Sequence, residues 1–408
     1  MERLACLFPG QGSQYSGMGR RWYKEYSIVR RVFEEASEVL KYDLKRICFE
    51  GETEQLADTR ITQPAIVTLS VAAYQIFVNE VGITPAYYAG HSLGEYSALC
   101  CAGVIRFDDM LRLVQVRGQL MYEAVEAGTG LMQAIRGVGI TSIYEACEEV
   151  SDESGLVTVA NVNSNNQVVI SGHRSAVIKV SERLQQQFAR ASAISLQVGA
   201  PFHSPLMVRA AQTFRKEFDK YTLYSTDKLV ISNLTGLPYR RSSELKTALA
   251  SQISATVQWK ASMDFFTRQG IDRFVELGPG TTLRNLLKNT DNDLRCYAFD
   301  DPGDLAELKR MKWAPLMPSQ VISWCLATAV ATPNRGQQSE QSLTAITNMY
   351  KRLQTLKKRS EKIENAQEEM IEAITVIKQM MMEKGLAASV QCDIFDKLMQ
   401  ETTDPGWV

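Results

Sequence analysis

The sequence predicts an α/β protein: a largely parallel sheet interrupted by a small inserted subdomain and followed by a helical C-terminal extension. Three observations lead there. Up to about residue 300, short β-like runs alternate with amphipathic helical stretches, the pattern of a parallel sheet with crossover helices. Over about 128–198 the order becomes β-α-β-β-α-β, a split-βαβ insertion. Beyond about 300, prolines and polar residues lead into a long stretch of helical character.

In chain order, residues 4–8 read as a first strand that stops at Pro9-Gly10-Gln11-Gly12, and helices follow at about 20–40 and 64–80. Residues 87–89 form a short second strand ending at Gly90, and 95–102 read as the helix leaving that turn. A long amphipathic helix over 108–126 is ended by Gly128 and Gly130. Inside the insertion, strands are expected at 130–135, 157–162, 167–171 and 193–198, with helices near 141–150 and 175–189. The chain then returns to the larger sheet through strands near 229–231 and 273–276. Residues 301–341, with Pro315, Pro318, Pro333 and the polar run from Arg335 to Ser342, read as a linker. A helical segment fills 342–408, and its clearest part runs to about 384.

Of 408 residues, 45 are Lys or Arg and 46 Asp or Glu, a net charge of −1, so no global field steers polyanions to the protein. No local basic cluster suggests nucleic acid either. The longest apolar stretch, 321–331, is about half a bilayer span, and no secretory signal is visible at the N-terminus. A cytoplasmic protein is expected. The eight cysteines, at 6, 48, 100, 101, 147, 296, 325 and 392, include no C-x-x-C pair and no Cys/His cluster at metal spacing, so neither a metal nor a disulfide framework is expected. Imidazole chemistry has three candidates only: His91, His173 and His203.

Gly90-His91-Ser92-Leu93-Gly94 matches G-x-S-x-G, in which two glycines let a strand turn sharply into a helix and present the serine at the turn. By composition alone such a pentapeptide arises in about one chain in eight of this length. The strand before it and the apolar helix after it strengthen the reading. The turn also places the Leu93 N–H at a helix N-terminus, where it can donate to an oxyanion. A serine nucleophile needs a base. His203 lies after an apolar run broken by Gly199 and Pro201, at a loop mouth. His173 stands in a polar turn of the insertion, and His91 is too near Ser92 in sequence to face it, so it is read as supporting the elbow.

Arg117 lies on the apolar face of the 108–126 helix, with Leu113, Val114, Leu120 and Met121 as its i±3 and i±4 neighbours. A guanidinium there needs a carboxylate partner, and that face offers none within a turn. Two readings stay open: a buried structural ion pair with a distant acid, or a site for a substrate that ends in a carboxylate.

The chain resembles the malonyl-CoA:acyl carrier protein transacylase family, including the trans-acting acyltransferases of polyketide synthases. The resemblance covers about the first 300 residues and rests on eight motifs in order: Phe8 to Gln14, Thr62-Gln63-Pro64-Ala65, Gly90 to Tyr96, Val116-Arg117-Gly118, Asn161 to Ser164, Phe202-His203-Ser204, Val257-Gln258-Trp259 and Glu276 to Gly280. It implies an α/β-hydrolase-like large subdomain with a ferredoxin-like small one inserted, and transfer of a malonyl group from coenzyme A to the phosphopantetheine thiol of an acyl carrier protein. It implies Ser92 as nucleophile, His203 as base, and the backbone of Gln11 and Leu93 as the oxyanion hole. Arg117 would then clamp the malonyl carboxylate, Gln63 and Phe202 would line the acyl pocket, and a backbone carbonyl near Gln258 would orient the histidine. No cofactor is implied. Phe202 before the histidine favours malonyl over methylmalonyl.

The alternatives are a related hydrolase that cleaves acyl carrier protein thioesters, which typically lacks the arginine, and the same transferase serving fatty acid synthesis. The long extension and Phe202-His203-Ser204-Pro205 tilt toward polyketide synthesis. Thr256, Thr281 and Leu131-Met132 depart from the family pattern. From Ile346 to Met381 nine of eleven heptad a/d positions are apolar, the exceptions being Ser360 and Gln367, which suggests a coiled-coil or docked helix.

Overall fold

The computed structural model describes residues 4–391 except 84, 127, 154, 289–293, 311–317, 335, 337–338, 361, 364–365 and 388–389. Cys392 and the end of the helical extension lie outside the described residues, as does Pro315. The chain forms two compact units, Met1–Ala72 with Pro85–Asp304, and Ala73–Thr84 with Leu305–Val408.

Among the described residues the first unit holds nine strands: β1 (Leu4–Phe8), β2 (Tyr87–Gly90), β3 (Gly130–Arg136), β4 (Val157–Ser164), β5 (Gln167–His173), β6 (Ser192–Ser195), β7 (Leu229–Val230), β8 (Arg273–Glu276) and β9 (Arg295–Ala298). Five make a sheet in the order β7-β2-β1-β8-β9, every pair parallel. β1 is its centre, which is why Leu4-Ala-Cys-Leu-Phe8 is apolar throughout and buried on both faces. β9 is not among the strands expected from the sequence, since its four residues offer little period to detect. The register pairs Phe8 with Gly90, so the loop after β1 and the turn after β2 emerge side by side at the C-terminal edge.

The other four strands form an antiparallel sheet in the order β4-β5-β3-β6, the arrangement expected of a ferredoxin-like insertion. The helices Ile140–Val150 and Arg174–Gln187 pack on it over a core of Ile143, Val159, Ile170 and Val177. An isolated parallel bridge from Asn161 to Val257 joins this subdomain to the larger one, through Val162 N to Val257 O (3.0 Å) and Val257 N to Ala160 O (2.8 Å). Thr256, where the family pattern often has proline, adds a bond from its hydroxyl to Val159 O at 2.7 Å.

The second unit corrects two expectations. Residues 301–341 are not a plain linker, because Pro302–Arg310 and Pro318–Ala331 are helices. Pro318 takes the first helical position, where its missing N–H costs nothing, and Val321, Ile322, Trp324 and Cys325 behind it are buried. The heptad stretch is not one helix but two, Glu340–Ser360 and Gln367–Glu383, which pack on each other and on Pro318–Ala331. The two polar entries in the heptad, Ser360 and Gln367, are the last residue of one helix and the first of the next. Ion pairs Arg352–Glu372 (2.7 Å) and Arg359–Glu369 (3.3 Å) cross the hairpin. The buried ammonium of Lys384 donates to the carbonyls of Ala329 and Thr332, the latter at 2.6 Å, at the C-terminal end of Pro318–Ala331 where a cation is favoured.

Candidate active site

Ser92 sits between β2 and the helix Leu93–Cys101 with φ 51° and ψ −106°. The strain is held by the close approach of backbones that glycine permits. A Cβ on Gly90 would lie 1.8 Å from the Gly94 carbonyl carbon, and one on Gly94 would lie 1.9 Å from Phe8 O. Asn233 staples the turn: its Oδ1 accepts from Ser92 N at 2.7 Å and its Nδ2 donates to Gly90 O at 2.7 Å.

His203, buried and also at positive φ (58°), places Nε2 2.7 Å from Ser92 Oγ. Its Nδ1 donates to the Gln252 carbonyl at 2.8 Å, which fixes the tautomer and leaves Nε2 to accept the serine proton. The expectation for Gln258 is thereby corrected. Gln258 N-caps the helix Trp259–Arg268, so its carbonyl accepts from Ser262 N at 3.1 Å and is spent on starting that helix. Burial, then the nearby Arg117 charge, push the His203 imidazolium down to about 3, so the ring is neutral and basic at neutral pH.

Arg117 lies on the helix Phe107–Glu123 and is 1% exposed. Its Nη2 approaches Ser92 Oγ at 3.4 Å and donates to Gln252 Oε1 at 3.0 Å, its guanidinium lies 4.9 Å from the Tyr96 ring, and its Nε has no partner. These partners are all neutral. The acid it feels, Glu95, stands behind the Gln252 amide, so no carboxylate bonds the guanidinium directly.

Gln11 follows β1, and Gly10 beside it lies so close to the elbow that a Cβ there would be 2.4 Å from His91 O and 3.7 Å from Leu93 N. The Gln11 side chain is turned to Thr59 Oγ1 at 3.1 Å. Gln63 is fully buried, with Nε2 3.6 Å from Met121 Sδ, one helical turn beyond Arg117, and with Oε1 unpartnered. Phe202 is buried beside the base. His91 is engaged elsewhere: its Nε2 lies 2.9 Å from Asn163 Oδ1 of β4 and its ring leans on Trp259. His173 ends β5 and accepts from Leu156 N at 2.8 Å, so it is a strand-end bond rather than part of a polar turn.

Three residues of this network escaped the sequence reading: Asn233, Gln252 and Glu95. Gln252 holds His203 with its backbone and, with its side-chain amide, donates to Ser92 O (2.8 Å) and Glu95 Oε2 (2.6 Å). No local pattern marks such a hub. Only the Glu of the elbow motif, buried one turn after the serine, was within reach of a periodicity argument.

A strand-to-helix serine, a neutral histidine and a buried guanidinium with no carboxylate bonded to it define a serine acyl-transfer site. Residues 6–320 match the family described as acyl transferase domain, and the chain belongs to that family. A Bacillus subtilis protein named malonyl CoA-acyl carrier protein transacylase is 37% identical over 371 residues, 89% of this chain and 92% of that protein, an alignment long enough to reach well past residue 305. FabD from Acinetobacter baumannii superposes with a TM-score of 0.72 at 38% identity, covering 75% of this chain and 97% of FabD. A malonyl-transacylase solved in complex with a type II polyketide synthase acyl-carrier protein matches with a TM-score of 0.72 at 38% identity, covering 76% and 99%.

Proposed function

We propose that this protein moves a malonyl group from malonyl-CoA to the phosphopantetheine thiol of an acyl carrier protein through a malonyl-Ser92 ester. The observation that carries the reading is Arg117, a buried cation 3.4 Å from the nucleophile with neutral partners only. It calls for an acyl group that brings its own carboxylate, and the relatives' names, malonyl transacylases, agree.

His203 Nε2 takes the Ser92 proton as Oγ attacks the thioester carbonyl. The N–H groups of Leu93 and Gln11, on the two adjacent strand ends, receive the oxyanion. The thiolate of coenzyme A leaves with the proton from His203, and the carrier thiol reverses the sequence. Gln63 and Phe202 wall the acyl pocket, and a phenyl ring at 202 leaves little room for a branched acyl group, a discrimination of about 1–3 kcal/mol. Arg117 disfavours the hydrolase alternative, because the related hydrolases typically lack this arginine.

The acceptor reading is a polyketide carrier protein, in the cytoplasm where coenzyme A thioesters are available. One point supports it: a neighbour of 38% identity was solved with a polyketide synthase acyl-carrier protein. Acylation of a panel of polyketide and fatty acid carrier proteins tests this. Faster transfer to the fatty acid carriers would overturn the polyketide assignment, and release of free malonate faster than transfer to any carrier would favour hydrolysis.

A further inference from the structure

Behind Ser92, His203 and Arg117 lies a buried carboxyl, Glu95, on the first turn of the elbow helix and wholly shielded from solvent. Its Oε1 accepts from Asn233 N (3.1 Å) and Tyr239 OH (2.5 Å), and its Oε2 from Gln252 Nε2 (2.6 Å). Every one of these partners is neutral. The cation it feels is Arg117, reached through a single amide, for Arg117 Nη2 donates to the oxygen of the same Gln252 side chain at 3.0 Å. Gln252 is wedged between guanidinium and carboxylate, oxygen toward the one and nitrogen toward the other.

Where Glu95 is ionised, above about pH 7, that pair is neutral in sum while the acyl site holds nothing else. A second carboxylate at Arg117 gives one buried cation and two buried anions. In a medium of low dielectric the surplus charge is relieved by protonating one of the anions. We propose that Glu95 is the counter-charge which the malonyl carboxylate displaces: it balances Arg117 in the empty site and takes a proton from solvent when an acyl carboxylate pairs with Arg117. The buried net charge then stays constant through binding. This rests on the malonyl reading given above, and makes Glu95 a specificity-determining residue that never touches the substrate.

The groups facing Glu95 leave it free to do this. Tyr96 on its own helix and Tyr239 beyond β7 are phenols pushed up by burial, His91 is lowered by burial, and His203 is held at about 3. Arg117, from Phe107–Glu123, faces it across the Gln252 amide. Burial raises Glu95 to about 7, against the hydrogen bonds and Arg117 that favour its anion. A bound anion at Arg117 raises it further, so binding draws in a proton. By linkage, malonyl-CoA affinity falls as pH climbs above about 7, by up to about tenfold per unit, whereas acetyl-CoA affinity does not follow.

The test is calorimetric titration of the full chain carrying Ser92→Ala, at pH 7.5, in two buffers of different ionisation enthalpy. Malonyl-CoA should bind with uptake of roughly half a proton or more, and acetyl-CoA, which has the same nucleotide and phosphates, with none. Adding Glu95→Gln should abolish the uptake. Infrared difference spectra of the Ser92→Ala protein with labelled glutamate should gain a neutral carboxyl band with malonyl-CoA, a readout that does not depend on the Glu95→Gln protein folding. Binding without proton uptake, equal uptake with acetyl-CoA, or uptake that persists in Glu95→Gln overturns the proposal alone. Absence of malonyl-CoA binding, with no malonyl ester on wild-type Ser92, overturns the malonyl reading and this proposal with it.

Discussion

Ser92 Oγ and His203 Nε2 stand 2.7 Å apart, and both residues hold a backbone φ in the left-handed region, at 51° and 58°. Non-glycine residues there cost about 1–3 kcal/mol each and persist only where their surroundings over-determine them. Here those surroundings are visible. Asn233 grips the turn on both sides of His91, and the Ile253 carbonyl accepts from His203 N at 3.0 Å. The two reacting side chains meet because strained backbones aim them.

Incubation with malonyl-CoA should leave a malonyl adduct on Ser92, seen by mass spectrometry of the intact chain and its peptides. Ser92→Ala should abolish the adduct, and His203→Ala should slow its formation by roughly a thousandfold or more. An unmodified wild-type protein would refute the transferase mechanism.

Arg117→Ala should lower kcat/KM for malonyl-CoA by about 2–5 kcal/mol, a factor of about thirty to several thousand. Its activity with acetyl-CoA relative to malonyl-CoA should rise, and its melting temperature should fall as well, since Gln252 Oε1 loses its donor and Glu95 loses the cation it faces. Steady-state kinetics with both thioesters checks this, and an unchanged preference would exclude the carboxylate clamp.

Gln252→Ala removes the amide shared by Arg117, Glu95 and Ser92 O but keeps the carbonyl that holds His203. The expected loss is about 1–3 kcal/mol of stability from stranded buried groups. Activity should fall through a raised KM for malonyl-CoA more than through kcat, while the acid limb of the pH profile stays in place.

His203 is held at about 3, far below the usual 6.5. Between those values the unfolded chain binds the proton that the folded one excludes, so this residue's contribution to stability declines as pH falls from about 6.5 to 3. For catalysis the consequence is a flat kcat/KM for acylation between pH 5 and 6.5, measured by single-turnover malonylation. A fall centred near 6.5 would mean that the base is an ordinary exposed imidazole.

Lys384→Met keeps the aliphatic stem and removes the donors to Ala329 O and Thr332 O. A loss of about 1–3 kcal/mol follows, with a lowered melting temperature in thermal unfolding. Comparison of residues 1–305 with 1–408 by light scattering asks separately whether the extension associates with a second copy.

What could be read in the sequence was what is written locally. The elbow is a pentapeptide in its proper strand-to-helix setting, and Arg117 betrays itself as a charge in an apolar helical stripe. Gln252 was invisible, because a glutamine gains its four contacts only when four segments converge, and Gln258 was preferred in its place for its motif alone. The tail shows a different ambiguity. Two amphipathic helices folded into a hairpin and one long amphipathic helix carry the same a/d pattern, and the break showed only in the polar residues Ser360 and Gln367.

The pairing of Phe8 with Gly90 has a consequence for how such a site can change. Because β1 and β2 are hydrogen-bonded neighbours, the distance between the Gln11 loop and the serine turn is an interstrand spacing of about 4.8 Å, set by main-chain geometry rather than by any side chain. The sheet serves as a ruler. Pocket walls such as Gln63 and Phe202 are then free to drift toward other acyl groups while the reacting atoms keep their separation.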